Sequence, residues 1–468
     1  MPKQIRLNAF AMNTVGHLSP GLWRHPRDQA TRYTDIHYWT ELARTLERGK
    51  IDGLFIADVL GAYDVYGGNA DEALRTAAQV PVNDPLQLVP AMAAVTEHLG
   101  FGVTASVSFE HPYPFARRMS TLDHLTRGRA GWNIVTSYLS SGARNLGQRE
   151  QLSHDQRYAL AEEYLQVCYK LWEASWEDDA VRADRASGVY ADPAKVHGIG
   201  HQGEFFQVPG FHLCEPSPQR TPVLYQAGAS TRGRAFAAAN AECVFVAAPS
   251  KTVLKNQVAQ VRAAAVAAGR APGDILVLEQ LTVIVAPTDE QALARLREYR
   301  EYASASGALT LMSGWTGIDF AQYQSDQVLR EVQSDAIQSA VEAFTRADPS
   351  RTWTTAEIAD YCAIGGDGPV LVGSAQTVAD QLQEWVQETD VDGFNLASVV
   401  APETFEAVVD LLVPELQARG LFKRDYAQGT LRNKLFDAGD RLGAPHPAAA
   451  LRRGAPHPAA ALRRGAGQ

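Results

Sequence analysis

Eight alternations of an apolar, strand-like run with a helix-like run predict an α/β fold, a (β/α)8 TIM barrel with inserted loops. Three observations carry this expectation. Runs such as IDGLFIAD (51–58) and AGWNIV (130–135) are apolar without alternation, as parallel strands covered on both faces must be. Segments with apolar residues at helical spacing separate them. Polar and small residues then gather just after the runs, where the loops of a parallel barrel carry chemistry. An open, doubly wound sheet is the competing arrangement.

In order, strands are expected at 5–12, 51–58, 101–108, 130–135, 222–228, 241–249, 275–287 and 391–398. Helices are expected over 36–49, 85–98, 115–125, 154–172, from Ser230, and over 251–268, 289–303, 375–387 and 402–419. Trp39, Leu42, Ala43 and Leu46 share one face of the first, and Gly49 stops it. Two stretches break the rhythm: 177–220, a Gly/Pro/His-rich loop and hairpin, and 304–370, which could serve as a lid. The barrel with these insertions is expected to span 1–435. Residues 436–468 contain GAPHPAAALRR twice in tandem, at 443–453 and 454–464. Pro, Ala and Arg bury little surface, so a disordered tail is expected.

With 43 Lys and Arg against 53 Asp and Glu, the net charge is -10, and the chain has no basic surplus for a nucleic acid backbone. Cys168, Cys214, Cys243 and Cys362 stand far apart without a CxxC pair, which argues against a zinc ribbon or disulfide framework and fits a reducing compartment. No metal site is expected. The opening residues lack an apolar signal core and no run approaches the roughly 18 apolar residues of a span, so a cytoplasmic protein without membrane contact is expected. A GxxxxGKS/T loop, HExxH, GxSxG and a GxGxxG following a strand are all missing.

What remains is a set of polar and small residues at strand ends: His17, Asp58, Ser106, His111, Thr136, Ser137, Gly228, Ala229 and Ser230, with Asn133 inside a strand. The turn QAGAS leaves backbone N–H groups facing outward at a helix start, which suits phosphate, although Ser230 could be a plain N-cap. His17 and His111 are candidate acid/base groups, or packed and solvated side chains. Asp58 reads equally as a loop acid or a cap, and Asn133 could merely satisfy a backbone group.

Five stretches in order, NAFAMNTVGHLSPGLWRHP (8–26), FIADVLGAYDVYG (55–67), STLDHLTRGRAGWNIVTS (120–137), SHDQRYALAEEYL (153–165) and LYQAGAS (224–230), resemble the bacterial luciferase-like flavin monooxygenases. Within them the chain is similar to the branch of nitrilotriacetate, dibenzothiophene-sulfone and long-chain alkane monooxygenases, over residues 3–435. The resemblance implies a (β/α)8 barrel and a two-component monooxygenase. Reduced FMN (FMNH2) from a separate NAD(P)H-dependent flavin reductase would react with O2 through a C4a-peroxyflavin, and a small organic substrate such as an alkane, sulfone or aminocarboxylate would be oxidised. By matching position, Asp58, Ser106, Asn133, Thr136 and Ser137 are implied near the flavin ring and ribityl chain. His154, Tyr158, Gly228, Ala229 and Ser230 are implied at its phosphate. His17, His111, Tyr63 and Gln79 are implied on the substrate and oxygen side, with either histidine setting the protonation of the oxygen adduct, and a homodimer or homotetramer is implied. Trp23, Tyr63, Trp315 and Phe320 would shield the adduct from water. The alkane-oxidising member has cysteine where Thr14 stands and histidine where Tyr138 stands. A deazaflavin (F420)-dependent oxidoreductase on the same barrel, or a non-catalytic flavin-binding protein, are the alternatives.

Overall fold

Eight parallel strands close on themselves in sequence order: β1 (Arg6–Met12), β2 (Gly53–Ala57), β3 (Gly100–Ser106), β4 (Ala130–Val135), β5 (Val223–Gln226), β6 (Cys243–Val246), β7 (Leu276–Val285) and β8 (Gly393–Ala397). Closure is made where β6 pairs with β7 (Cys243 opposite Leu276) and β8 pairs with β1 (Gly393 opposite Arg6). All eight expected runs are in the barrel, and the open sheet is excluded. The computed structural model describes residues 3–148, 151–228, 230–328 and 352–452.

Side chains alternate across each strand. Trp132 and Ile134 face the outer helices in the main apolar cluster, so Asn133 faces inward. The middle of the barrel is filled by Phe10, Phe55, Tyr225 and Phe245, with Phe55 and Phe245 centroids 4.3 Å apart and Tyr225 stacked on Phe245 at 5.4 Å. Two glycines make room for this layer. A Cβ at Gly102 would lie 2.9 Å from the Phe55 ring, and one at Gly131 would lie 2.5 Å from Tyr225.

The first outer helix, Ile36–Arg48, follows from its sequence: Asp35 caps it by accepting the His37 N–H at 2.9 Å, and Trp39, Leu42, Ala43 and Leu46 are buried. The helix expected over 85–98 is shorter, a turn at Pro85–Gln87 and a helix at Val89–Ala94. Arg129 ends it, its guanidinium donating to the carbonyls of Ala93, Thr96 and Leu99. An unexpected strand, Val370–Gly373, pairs with the far half of β7, from Thr282 opposite Val370 to Val285 opposite Gly373.

Residues 177–220 form the expected hairpins, Val181–Asp184 with Val189–Ala191 and His201–Gln202 with Gln207–Val208. In 304–370, the helices Ala305–Thr316 and Thr355–Cys362 set Leu311, Met312, Trp315 and Ile358 in a cluster with Met12 and Ala397, which end β1 and β8. This cluster covers the carboxyl ends of the strands, the mouth of the barrel.

The first part of the tail departs from expectation. Up to Arg452 it is packed on the body rather than disordered: Leu442 and Ala448 are buried, His446 Nε2 donates to the Asn240 carbonyl at 2.9 Å, and Arg452 pairs at 2.7 Å with the fully buried Glu173. The small alanines allow close approach, and a buried carboxylate rewards the arginine. The second copy of the repeat lies outside the described residues.

Candidate active site

The chemistry-bearing residues gather at the mouth in three groups. One lines the wall above the aromatic layer. Asn133 Nδ2 donates to Thr104 Oγ1 at 2.9 Å, while Asn133 Oδ1 is buried without a partner, as is Asn395 Oδ1 on β8. Such orphaned oxygens are costly unless something else donates to them. Beside them the Ser106 and Ser137 hydroxyls meet at 2.8 Å, and Ser108 Oγ donates to the Thr136 carbonyl at 2.8 Å. Ser137 holds φ +59°, a strained conformation outside glycine. Asp58, at the end of β2, is pushed up to about 7 by burial, with the Asp84 charge adding and the Val59 N–H partly offsetting it.

The second group sits where two helices begin. Ser230 caps Thr231–Asn240, its Oγ accepting from Gly233 N at 3.0 Å, and lies 3.3 Å from Nε2 of His154, the first residue of His154–Tyr169. Tyr158 reaches into the same turn, where burial raises its hydroxyl above its usual range while hydrogen bonds to Ser230 and Gln226 oppose this. A Cβ at Gly228 would lie 2.2 Å from Gln226 Nε2 and 3.1 Å from the Tyr158 hydroxyl, so any side chain there would have to displace the Gln226 amide. Ala229 lies outside the described residues.

The third group lies under the helices of 304–370. Tyr63 donates to Gln79 Oε1 at 2.8 Å, stands 2.5 Å from the Tyr138 hydroxyl, and receives Trp315 Nε1 at 3.1 Å. Gln79 Nε2 donates to the His17 carbonyl at 3.0 Å. The His17 ring packs edge-on against Phe10 at 4.5 Å, and loss of solvation pushes it down to about 3. Neutral at physiological pH, it is a hydrogen-bonding group and not a cationic acid.

The sequence-predicted residues therefore assemble at one end of the barrel, with His111 set apart. It is exposed, caps Pro112–Leu125 by accepting Tyr113 N at 3.2 Å, and packs on Phe206. Trp315 and Phe320 are buried in the mouth cluster, whereas Trp23 is 37% exposed. Sequence reasoning missed Asn395 and Asp367, and named Tyr138 only as a departure from the alkane-oxidising member. Tyr138 directly follows Thr136 and Ser137, and Asp367 sits in a GGDG turn, both readable signals. A cavity of about 900 Å3 among Leu309, Phe320, Tyr361 and Val372 lies beyond the mouth, bordered by Ser325 and Thr355, and holds none of the three groups.

A family model described as luciferase-like monooxygenase matches residues 15–393. The chain belongs to that family. The chain is 53% identical to the dimethyl-sulfide monooxygenase of Hyphomicrobium sulfonivorans, over 97% of this chain and 94% of that one. It is 37% identical to component A of the nitrilotriacetate monooxygenase of Aminobacter aminovorans, over 92% and 96%. Among solved structures, a riboflavin lyase with modified FMN and riboflavin superimposes with a TM-score of 0.90 at 35% identity, covering 96% of this chain and all of that one.

Proposed function

We propose that the chain is the oxygenating component of a two-component system: it takes reduced FMN from a separate NAD(P)H-dependent flavin reductase and uses O2 to oxidise a small organic substrate, of the alkane, sulfone or aminocarboxylate kind. The observation that carries this reading is the division of the mouth into an anion-friendly edge, a polar wall with orphaned acceptors, and an aromatic box. The residues fit FMN. At the edge, Ser230, His154, Tyr158 and Gly228 would hold the phosphate against the positive ends of two helices. Along the wall, Asn133, Ser106, Thr136, Ser137 and Asp58 would meet the ribityl chain and ring, whose N–H groups suit the unpaired Asn133 Oδ1. Reduced FMN, when bound, supplies the electrons with which O2 is activated.

The chain's own residues supply orientation, dryness and proton control. Tyr63, Gln79 and His17 line the substrate and oxygen side, with His17 hydrogen-bonding in its neutral form. Asp58, poised near neutrality, can hold or release a proton at its carboxyl. Leu311, Met312 and Trp315 exclude water from above, and the helices Ala305–Thr316 and Thr355–Cys362 act as the lid. His111 acts from the rim, by positioning the helix it caps. The working assembly is a homodimer or homotetramer. No helix among the described residues is long and apolar enough to cross a membrane.

The test is a coupled assay with an added NADH:FMN reductase, 18O2 and a panel of alkanes, sulfones, thioethers and aminocarboxylates. One labelled oxygen atom in the product of a panel member is expected. Oxygen consumption that yields only hydrogen peroxide with every compound would contradict the reading.

A further inference from the structure

We propose that this mouth selects uncharged substrates, favours those carrying a hydrogen-bond donor, and rejects carboxylates, because a one-way chain of hydrogen bonds leaves the Tyr138 hydroxyl able only to accept from a ligand. This deepens the monooxygenase reading and rests on it for the identity of the pocket.

The direction of the chain follows from its far end. The His17 carbonyl can only accept, so the group 3.0 Å from it must be the amide nitrogen of Gln79. Gln79 Oε1 therefore faces Tyr63 at 2.8 Å, and Tyr63 must donate to it. With its only proton committed, Tyr63 is an acceptor toward Tyr138, which donates across 2.5 Å. Trp315, a donor only, completes the Tyr63 oxygen at 3.1 Å. Tyr138 has then spent its proton. It offers lone pairs alone to the pocket, where Tyr138 is the half-buried member of an apolar cluster with Met12, Leu18, Leu311 and Trp315.

Reversing the chain would require rotating the Gln79 amide, setting two acceptors against each other at the His17 carbonyl. Gln79 is buried, and its amide is held from both sides by the Tyr63 hydroxyl and the His17 carbonyl. A carboxylate, which brings only lone pairs, finds no donor at Tyr138, whereas an O–H or N–H does.

Charge acts in the same sense. Asp367 stands in the GGDG turn, where Gly365 and Gly366 hold φ +83° and +70°. The turn is clamped by Gln280 Nε2 on the Gly365 carbonyl at 2.6 Å and by Gly365 N on Ser19 Oγ at 3.1 Å. Among the described residues, the charged groups acting most on Asp58, Tyr63 and Tyr138 are the carboxylates of Asp84 and Asp367. Of the three substrate classes above, aminocarboxylates are thus the one this mouth excludes.

The test is anaerobic calorimetric titration of the full chain, loaded with reduced FMN, with three thioethers of similar size: ethyl methyl sulfide, 2-(methylthio)ethanol and (methylthio)acetate. The alcohol and the sulfide should bind at least about tenfold more tightly than the acetate. Tyr138→Phe should remove the alcohol's advantage over the sulfide, and Asp367→Asn should narrow the gap to the acetate several-fold. Thermal melting of both variants checks that they fold. Acetate binding as tight as the alcohol's, ratios unmoved by either variant, or no binding of any thioether would overturn the proposal. If the binding order holds but no thioether is oxygenated in air, the monooxygenase reading fails and the selectivity stands.

Discussion

The two ends of the barrel treat buried polar groups in opposite ways. At the closed end, three acids that precede strands, Asp52, Glu242 and Asp392, each accept the first free N–H of a neighbouring strand, from Leu7, Leu224 and Val277. Each is also paired with a cation: Lys423 at 2.7 Å, Arg432 at 2.6 Å and Arg262 at 2.6 Å. At the mouth, Asn133 and Asn395 leave oxygens unpaired, and Asp58 and Asp367 are half-buried, have no salt-bridge partner among the described residues, and are pushed up to about 7 and about 6. The difference teaches where each task is done. One end ties the strands together, and the other keeps unsatisfied groups that a bound molecule completes.

The comparison breaks most easily at Glu242. Glu242→Ala strands the fully buried Arg432, and a loss of about 3–5 kcal/mol in urea unfolding is expected. A loss below about 1 kcal/mol would mean that the closed end is not where stability is held. Asp58→Asn should act in the other direction. Because the folded value, about 7, lies above the ordinary 3.8, proton uptake stabilises the fold below pH 4 and that support is lost as pH rises through 7. The flavin-free variant should therefore be more stable than the parent by roughly 1–3 kcal/mol at pH 8 and equal to it at pH 4. Equal melting temperatures at both pH values would contradict the difference between the ends.

Gly228→Ala sharpens the comparison at the phosphate edge. Its Cβ would strike Gln226, so affinity for reduced FMN should fall about tenfold or more while that for reduced riboflavin changes little. Fluorescence titration with the two flavins checks this. The smallest stability effect is expected for Asn133→Leu, which replaces an amide with an unsatisfied oxygen and one hydrogen bond, to Thr104, by an apolar group of similar size. Unfolding free energy should change by no more than about 1 kcal/mol, while reduced FMN binds more weakly. A large loss of stability would place Asn133 with the closed end's structural groups.

The barrel was legible because each strand is covered on both faces and therefore carries an unbroken apolar run. Boundaries were less so. The segment 85–98 has helical spacing throughout, but Arg129, thirty residues on, takes the carbonyls that would continue the helix. The first part of the tail misled because its composition says nothing of a docking seat: the buried Glu173 that receives Arg452 stands 279 residues earlier in the chain. At the mouth, local signals pointed to His17, Asp58, Ser106, Thr136 and Ser137, since each stands at or shortly after the end of its strand. Tyr63, Gln79, His154 and Tyr158 came from the family resemblance. The network through Tyr138 and Trp315 joins segments far apart in the chain and has no local signature. His111 shows the reverse failure: a residue just past a strand end whose imidazole caps the next helix.

The most direct measurement is rapid mixing of the anaerobic protein and reduced FMN with oxygenated buffer, with flavin absorbance followed in a stopped-flow instrument, with and without a substrate. A long-lived spectrum that is neither reduced nor oxidised FMN is expected, decaying faster when substrate is present. Return to oxidised FMN at the rate seen without protein, under both conditions, would contradict the assignment of the mouth as the site where reduced FMN and oxygen meet.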